Sequence, residues 1–162
     1  MNILLTSAGR RTYLVEYFKK ALAGKGKVYA SNSIDTYTLH QADGYVITPS
    51  IYDKEYVNFL ISYCKNNQIS AIISLFDIDL PVLAKHKVEF EKEGITVVVS
   101  DYNVTQICND KWSTYEFLVR LGLPQTPSYL NLENLKKDIA DGVVNYPFIL
   151  KPRWGDGFHR NI

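Results

Sequence analysis

Short apolar runs and amphipathic stretches take turns along the amino-terminal part of the chain. Asn2 to Thr6 is an apolar run that ends in Ser7-Ala8-Gly9, and from Arg10 to Ala23 the residues Leu14, Phe18 and Leu22 recur four apart. That spacing puts them on one helix face, so the pattern predicts strand, turn, helix. Val28 to Ala30 and Tyr45 to Ile47 predict a second and a third strand, separated by an irregular segment. Asp53 is placed to cap a helix in which Val57, Leu60, Ile61 and Cys64 make one face. Ala71 to Phe76 predicts a fourth strand, too apolar to have a wet side. Asp79 and Pro81 suit the start of another helix, whose charged run Lys85 to Glu93 is a solvated face and which ends at Gly94. Ile95 to Val99 predicts a fifth strand. Strands apolar on both faces and alternating with helices predict an α/β fold, a doubly wound, Rossmann-like parallel sheet covered on both sides.

The rhythm changes after that. Asp101 to Cys108 predicts a short helix, and Asn109 or Asp110 caps another over Lys111 to Leu121, stopped by Gly122 and Pro124. Thr126-Pro127 leads into a predicted strand at Ser128 to Leu130, and Asn131 caps a helix with Leu132, Leu135 and Ile139 inward. Phe148 to Leu150, entered through Pro147, predicts a short buried strand that ends at Lys151. These readings place a domain boundary near Lys111, giving domains 1–110 and 111–162.

Composition narrows the function classes. A chain of 162 residues with 46% hydrophobic and 22% charged residues fits a globular protein of one domain, or one domain and part of another. The formal net charge is +1 and the basic residues are scattered, so nucleic acid is not an expected partner. Even Ile95 to Val99, broken by Thr96, is far too short to span a bilayer, so no membrane role is expected. Met1 to Thr6 lacks a basic leader and a long apolar segment, and a cytoplasmic location is the expectation. Cys64 and Cys108 lie in apolar helical patterns and read as buried free thiols, and His40, His86 and His159 form no cluster, so no metal site is expected.

Three stretches carry chemistry. In the first, Lys151 closes an apolar run and is followed by Pro152-Arg153-Trp154-Gly155-Asp156-Gly157. A fixed ammonium beside glycine backbone suits a nucleotide's phosphates, because glycine amides approach without side-chain obstruction and lysine supplies a point charge. A lone Gly-x-Gly is more often a surface turn after a strand, since short motifs match by accident. In the second, Gly9-Arg10-Arg11 sets two cations at a helix start, where the dipole repels them. Either a substrate carboxylate or phosphate sits near them, or they pair with Asp77 or Asp79. In the third, Asp77-Ile78-Asp79 follows the fourth strand; the two carboxylates could bind an amine or a metal, or serve as a helix cap and an arginine partner. Asn32 and Asp35 lie where dinucleotide folds carry a ribose-binding acid, but the first turn has one glycine where that fingerprint needs three, so NAD is not expected.

Lys151-Pro152-Arg153-x-Gly155-x-Gly157 resembles the Lys-Pro-Arg-x-Gly-x-Gly-Ser pattern of the ATP-grasp superfamily, in the subgroup that includes relatives of the carbamoyl-phosphate synthetase large chain. Phe158 departs from it where a small residue is usual. Asn109-Asp110-Lys111 with Thr114 to Leu118 resembles the helix that opens the ATP-grasp domain, and Gly122-Leu123-Pro124-x-Thr126-Pro127 follows. The resemblance implies a pre-ATP-grasp domain and then an incomplete ATP-grasp subdomain. It implies a carboxylate-amine ligase that works through an acyl phosphate, with ATP and Mg2+ as cofactors of the complete protein. By resemblance, Lys111 and Lys151 bind the α- and β-phosphate region, Gly155 to Gly157 cover the triphosphate and Arg153 assists. The loops at Gly9-Arg10-Arg11 and at Asp77 to Asp79 are expected to form part of the acceptor-substrate surface. The adenine hinge and the magnesium ligands of the family lie well beyond Gly157, so the chain is expected to be a truncated ligase that is inactive alone, binds no nucleotide tightly and can dimerise through exposed apolar surface. The alternative expectation is a non-catalytic, Rossmann-like module that binds a small anion or a partner chain.

Overall fold

The structure is a computed structural model and describes residues 1–155. It divides into two compact units, Met1–Thr105 and Gln106–Ile162.

In the first unit, β1 (Asn2–Thr6), β2 (Val28–Asn32), β3 (Gly44–Ile47), β4 (Ile69–Ser74) and β5 (Thr96–Val97) form one sheet in the order β3-β2-β1-β4-β5. All its pairings are parallel, with Leu4 opposite Tyr29 on one side and Ile72 on the other. The helices α1 (Thr12–Leu22), α2 (Tyr56–Asn66), α3 (Asp79–Lys85) and α4 (Lys87–Lys92) connect the strands. Side chains alternate across a strand, so β1, β2 and β4 each feed two cores. Leu4, Tyr29 and Ile72 pack with Val57, Leu60 and Cys64 of α2, Leu83 of α3 and Phe90 of α4. Ile3, Leu5, Val28 and Ala71 point the other way and pack with Val15 of α1. The expected doubly wound α/β sheet is therefore present, with β3 as a half-wet edge whose Tyr45 and Ile47 are exposed.

Several local expectations fail for identifiable reasons. The stretch after Asp79 is two helices rather than one, because the chain turns at His86, whose φ of −103° and ψ of 11° leave the helical region. Asp53 does not cap α2; its Oδ1 accepts the amide of Glu55, the residue just before the helix starts at Tyr56. The fifth strand shrinks to Thr96–Val97, since β4 offers it only the partners Ala71 and Ile72.

Helix α5 (Tyr102–Asn109) leads into the second unit, which holds α6 (Lys111–Arg120) and α7 (Leu132–Ala140). Both of the latter are capped as the sequence predicts: Asp110 accepts the Trp112 amide and Asn131 accepts the Glu133 amide. The predicted strands at Ser128 to Leu130 and Phe148 to Leu150 are absent. Ile149 and Leu150 are 76% and 91% exposed, so their apolar run joins no sheet among the described residues, and Leu132 is exposed rather than inward. Cys64 is buried as expected, but Cys108, on a helix face that meets no core, is exposed. No helix among the described residues is long and apolar enough to cross a membrane.

Candidate functional site

The order β3-β2-β1-β4-β5 reverses direction between β1 and β4, and in such sheets the crevice at the carboxyl ends of those strands is where ligands bind. Here the position is occupied from inside. Asp79, the first residue of α3, is fully buried. Its Oδ2 accepts Thr6 Oγ1 at 2.6 Å, Ser74 Oγ at 2.8 Å and Ser7 Oγ at 3.2 Å, and its Oδ1 accepts the Tyr56 hydroxyl at 3.0 Å. Four hydroxyl donors replace the water that a buried carboxylate gives up, and hydrogen bonds to a charged acceptor are the strong kind. Burial, and then the negative charge of Asp79, push the Tyr56 phenol well above its usual range, so it remains a donor.

This geometry corrects two expectations. Asp79 is not the cap of α3, whose cap position is Ile78, and its oxygens are turned to β1, β4 and α2. Neither Arg10 nor Arg11 forms an ion pair with Asp77 or Asp79 among the described residues. The carboxylate instead shapes the loop that carries those arginines. Ser7 has φ of +51°, a left-handed conformation disfavoured for a residue with a side chain, and its hydroxyl bond to Asp79 holds it there. Gly9 follows with φ of +55°, where a Cβ would lie 3.5 Å from Arg11 Nη1. Arg11 stands at the cap position of α1 without a side-chain cap bond, so the first amides of the helix and two guanidinium groups share one loop.

The second unit has its own cluster. Asp110 Oδ1 accepts the Trp112 amide at 3.0 Å and Arg153 Nε at 2.8 Å; Oδ2 accepts Ser113 Oγ at 2.9 Å and Arg153 Nη2 at 2.6 Å. The Arg153 guanidinium beside it holds the Asp110 carboxyl well below the usual carboxylate range; partial burial works against this, and the Ser113 hydroxyl and Trp112 amide reinforce it. The Lys111 amide donates to the Arg153 carbonyl at 3.1 Å, and Lys111 Nζ donates to the Gly155 carbonyl at 2.6 Å. Gly155 has φ of +84° with open space where a Cβ would stand. Thus Lys111, Arg153 and Gly155 come together, while Lys151 is exposed and Gly157 lies outside the described residues.

A family model described as the PylC-like, N-terminal domain matches residues 3–98. The chain belongs to the PylC-like N-terminal domain family. The matched PylC-like span falls within the first unit, Met1–Thr105. Comparison with curated proteins finds no match. Solved structures extend the likeness beyond the PylC-like domain. An N5-carboxyaminoimidazole synthetase from Staphylococcus aureus, complexed with ADP, is 19% identical, with a TM-score of 0.65 over 96% of this chain and 38% of that one. The biotin carboxylase domain of a Hydrogenobacter thermophilus 2-oxoglutarate carboxylase, in complex with MgADP, ADP and bicarbonate, is 22% identical, with a TM-score of 0.63 over 96% and 35%. A pyruvate carboxylase from Rhizobium etli is 18% identical, with a TM-score of 0.64 over 96% and 14%. The chain therefore spans a minor part of each of these proteins. Its sheet is the pre-ATP-grasp fold of the amino-terminal domain of ATP-grasp carboxylases and ligases, as the sequence resemblance implies.

The sequence reading missed the hydroxyl cage of Asp79 and the second role of Asp110. The first left a readable trace: Thr6 and Ser7 end one apolar strand and Ser74 ends another, and hydroxyls there at a sheet's carboxyl edge have few partners other than an acid. The Asp110 pairing with Arg153 spans 43 residues and left no local trace.

Proposed function

We propose that the chain forms the amino-terminal part of an ATP-dependent carboxylate-amine ligase, related in chemistry to carbamoyl-phosphate synthetase, in which ATP phosphorylates a carboxylate and the nucleophile attacks the acyl phosphate. The observation that carries this reading is the 2.6 Å contact between Lys111 Nζ and the Gly155 carbonyl, which sets an ammonium against a glycine loop 44 residues later in the chain. Lys111, Lys151, Gly155 and Gly157 would hold the phosphates, and Gly9, Arg10 and Arg11 the anionic end of an acceptor substrate. An ammonium has three N–H donors, and one is taken by Gly155, so two are left for phosphate oxygens. These groups fit a polyphosphate. As for magnesium, no group of three or more His, Cys, Asp or Glu that could hold a metal ion occurs among the described residues. When bound, magnesium would neutralise charge on the transferred phosphoryl, a task that Lys111 and Lys151 would share among the described residues.

The polypeptide of 162 residues is accordingly expected to give no Mg-dependent ADP formation. ATP at millimolar concentration is expected to shift the Lys111 and Gly155 amide resonances, and Lys111→Ala is expected to abolish the shifts. Turnover by pure protein would refute the inactivity, and unshifted amides in the parent chain would refute the phosphate assignment. The second reading, a small-anion module, is favoured by Arg10 and Arg11, which form no ion pair among the described residues, on a first unit that has its own apolar core. It predicts that anions perturb Gly9 to Arg11 and leave Lys111 untouched.

A further inference from the structure

Asp110 does more than cap a helix. We propose that it is the positioning residue of the phosphate site, holding the root of the glycine loop on the amino terminus of α6, and that Arg153 is its partner in that latch rather than a phosphate ligand. The inference rests on the phosphate reading above.

Two segments far apart in sequence meet through several tethers. The Asp110 carboxylate takes two donors from its own helix start, the Trp112 amide and Ser113 Oγ, and two from Arg153. Asp110 and Trp154 also form an antiparallel bridge, and the Lys111 amide meets the Arg153 carbonyl. A carboxylate has about four lone-pair sites, so all of them are used. Cap and latch are one group, and the helix start cannot be set without setting the loop root. Lys111 follows Asp110 directly, and its ammonium reaches Gly155, two residues past Arg153. The charge and the glycine backbone that would meet the same anion are thereby fixed together before any anion arrives, which lowers the ordering cost of binding.

The same geometry removes Arg153 from the list of free cations. Its Nε and Nη2 form a fork on the two Asp110 oxygens, the bidentate arrangement that lysine cannot reproduce. Its guanidinium carbon also lies 4.7 Å from the Trp154 ring centre, within cation–π range.

The test uses the full chain and inorganic tripolyphosphate. Asp110→Asn keeps an acceptor for the Trp112 amide but loses the charged fork, and Arg153→Lys keeps the charge but loses the fork. Each is expected to speed hydrogen exchange at the Lys111 amide about tenfold or more and to weaken tripolyphosphate binding, read from the Gly155 amide shift, about tenfold. The double variant is expected to be no worse than either single one, because both remove one latch. Unchanged Lys111 exchange in both single variants would overturn the proposal, as would losses that add in the double variant, the mark of an Arg153 that binds phosphate by itself. If exchange responds as expected but tripolyphosphate shifts nothing even in the parent chain, the phosphate reading fails and Asp110 is left as a structural contact, which overturns its positioning role. Lys151→Ala separates the two claims: weaker binding with Lys111 exchange unaltered is the expected result, and faster exchange would place the tether elsewhere.

Discussion

In the first unit the chain buries Leu4, Leu5, Leu60, Ile72 and Leu83 completely, whereas among the described residues of the second unit the buried one is Asp110, a carboxylate. One unit is ordered by apolar area removed from water. The other, as far as it is described, is ordered by caps and a polar latch, with Ile149, Leu150 and Trp154 left exposed. The difference matters for function, since a non-directional apolar core fixes a scaffold, while charge-assisted bonds fix where individual donors stand.

Substitution in the two units should break or sharpen this contrast. Leu60→Ala is expected to cost about 2–5 kcal/mol in urea unfolding, and Leu150→Ala less than about 0.5 kcal/mol. Similar costs would show that the second unit has an apolar core after all. Next in size is Asp79→Ala, which strands four hydroxyls inside the first unit; a loss of about 2–3 kcal/mol is expected, with Asp79→Asn milder because it keeps an acceptor. If Asp79→Ala unfolds at the parent's urea midpoint, the cage is ornamental and the strained Ser7 is held by something else.

The smallest effect concerns pH. The folded pKa of Asp110 is depressed by Arg153, so between it and the unfolded value of about 3.9 the unfolded chain binds more protons. Stability of the second unit therefore rises with pH in that window: the latch contributes fully above about pH 5 and is lost as the pH falls through the folded value. Lys111 amide exchange, followed from pH 6 downward after correction for intrinsic rates, should show the loss, and Arg153→Gln should flatten it. A pH response that survives Arg153→Gln would assign it to another carboxylate.

Legibility in sequence divided along the same line. Strand β1 was readable to the residue, as was the Asn131 cap, and Asp110 was one of two candidates for the other cap, because apolar runs and Asx caps are local signals. The run Phe148 to Leu150 misled for the same reason: composition reports that a segment could join a sheet, not that a sheet is there to receive it. Lys111 and Gly155 were legible as residue types, but their contact was not, since nothing within either segment encodes a partner 44 residues away. Asp79 was read as a cap because an acid at a helix start is usually one; burial at the switch point gave it other partners.

Strand β1 lies between β2, which follows it closely in the chain, and β4, which does not. As the polypeptide is synthesised, β1 meets β2 early, yet its other edge stays open until β4 has emerged, and Thr6 finds its acceptor only with Asp79, 73 residues later. Contacts of such sequence separation carry a loop-closure cost and form slowly. The arginine-bearing turn at the end of β1 is thus made well before the carboxylate that settles its geometry.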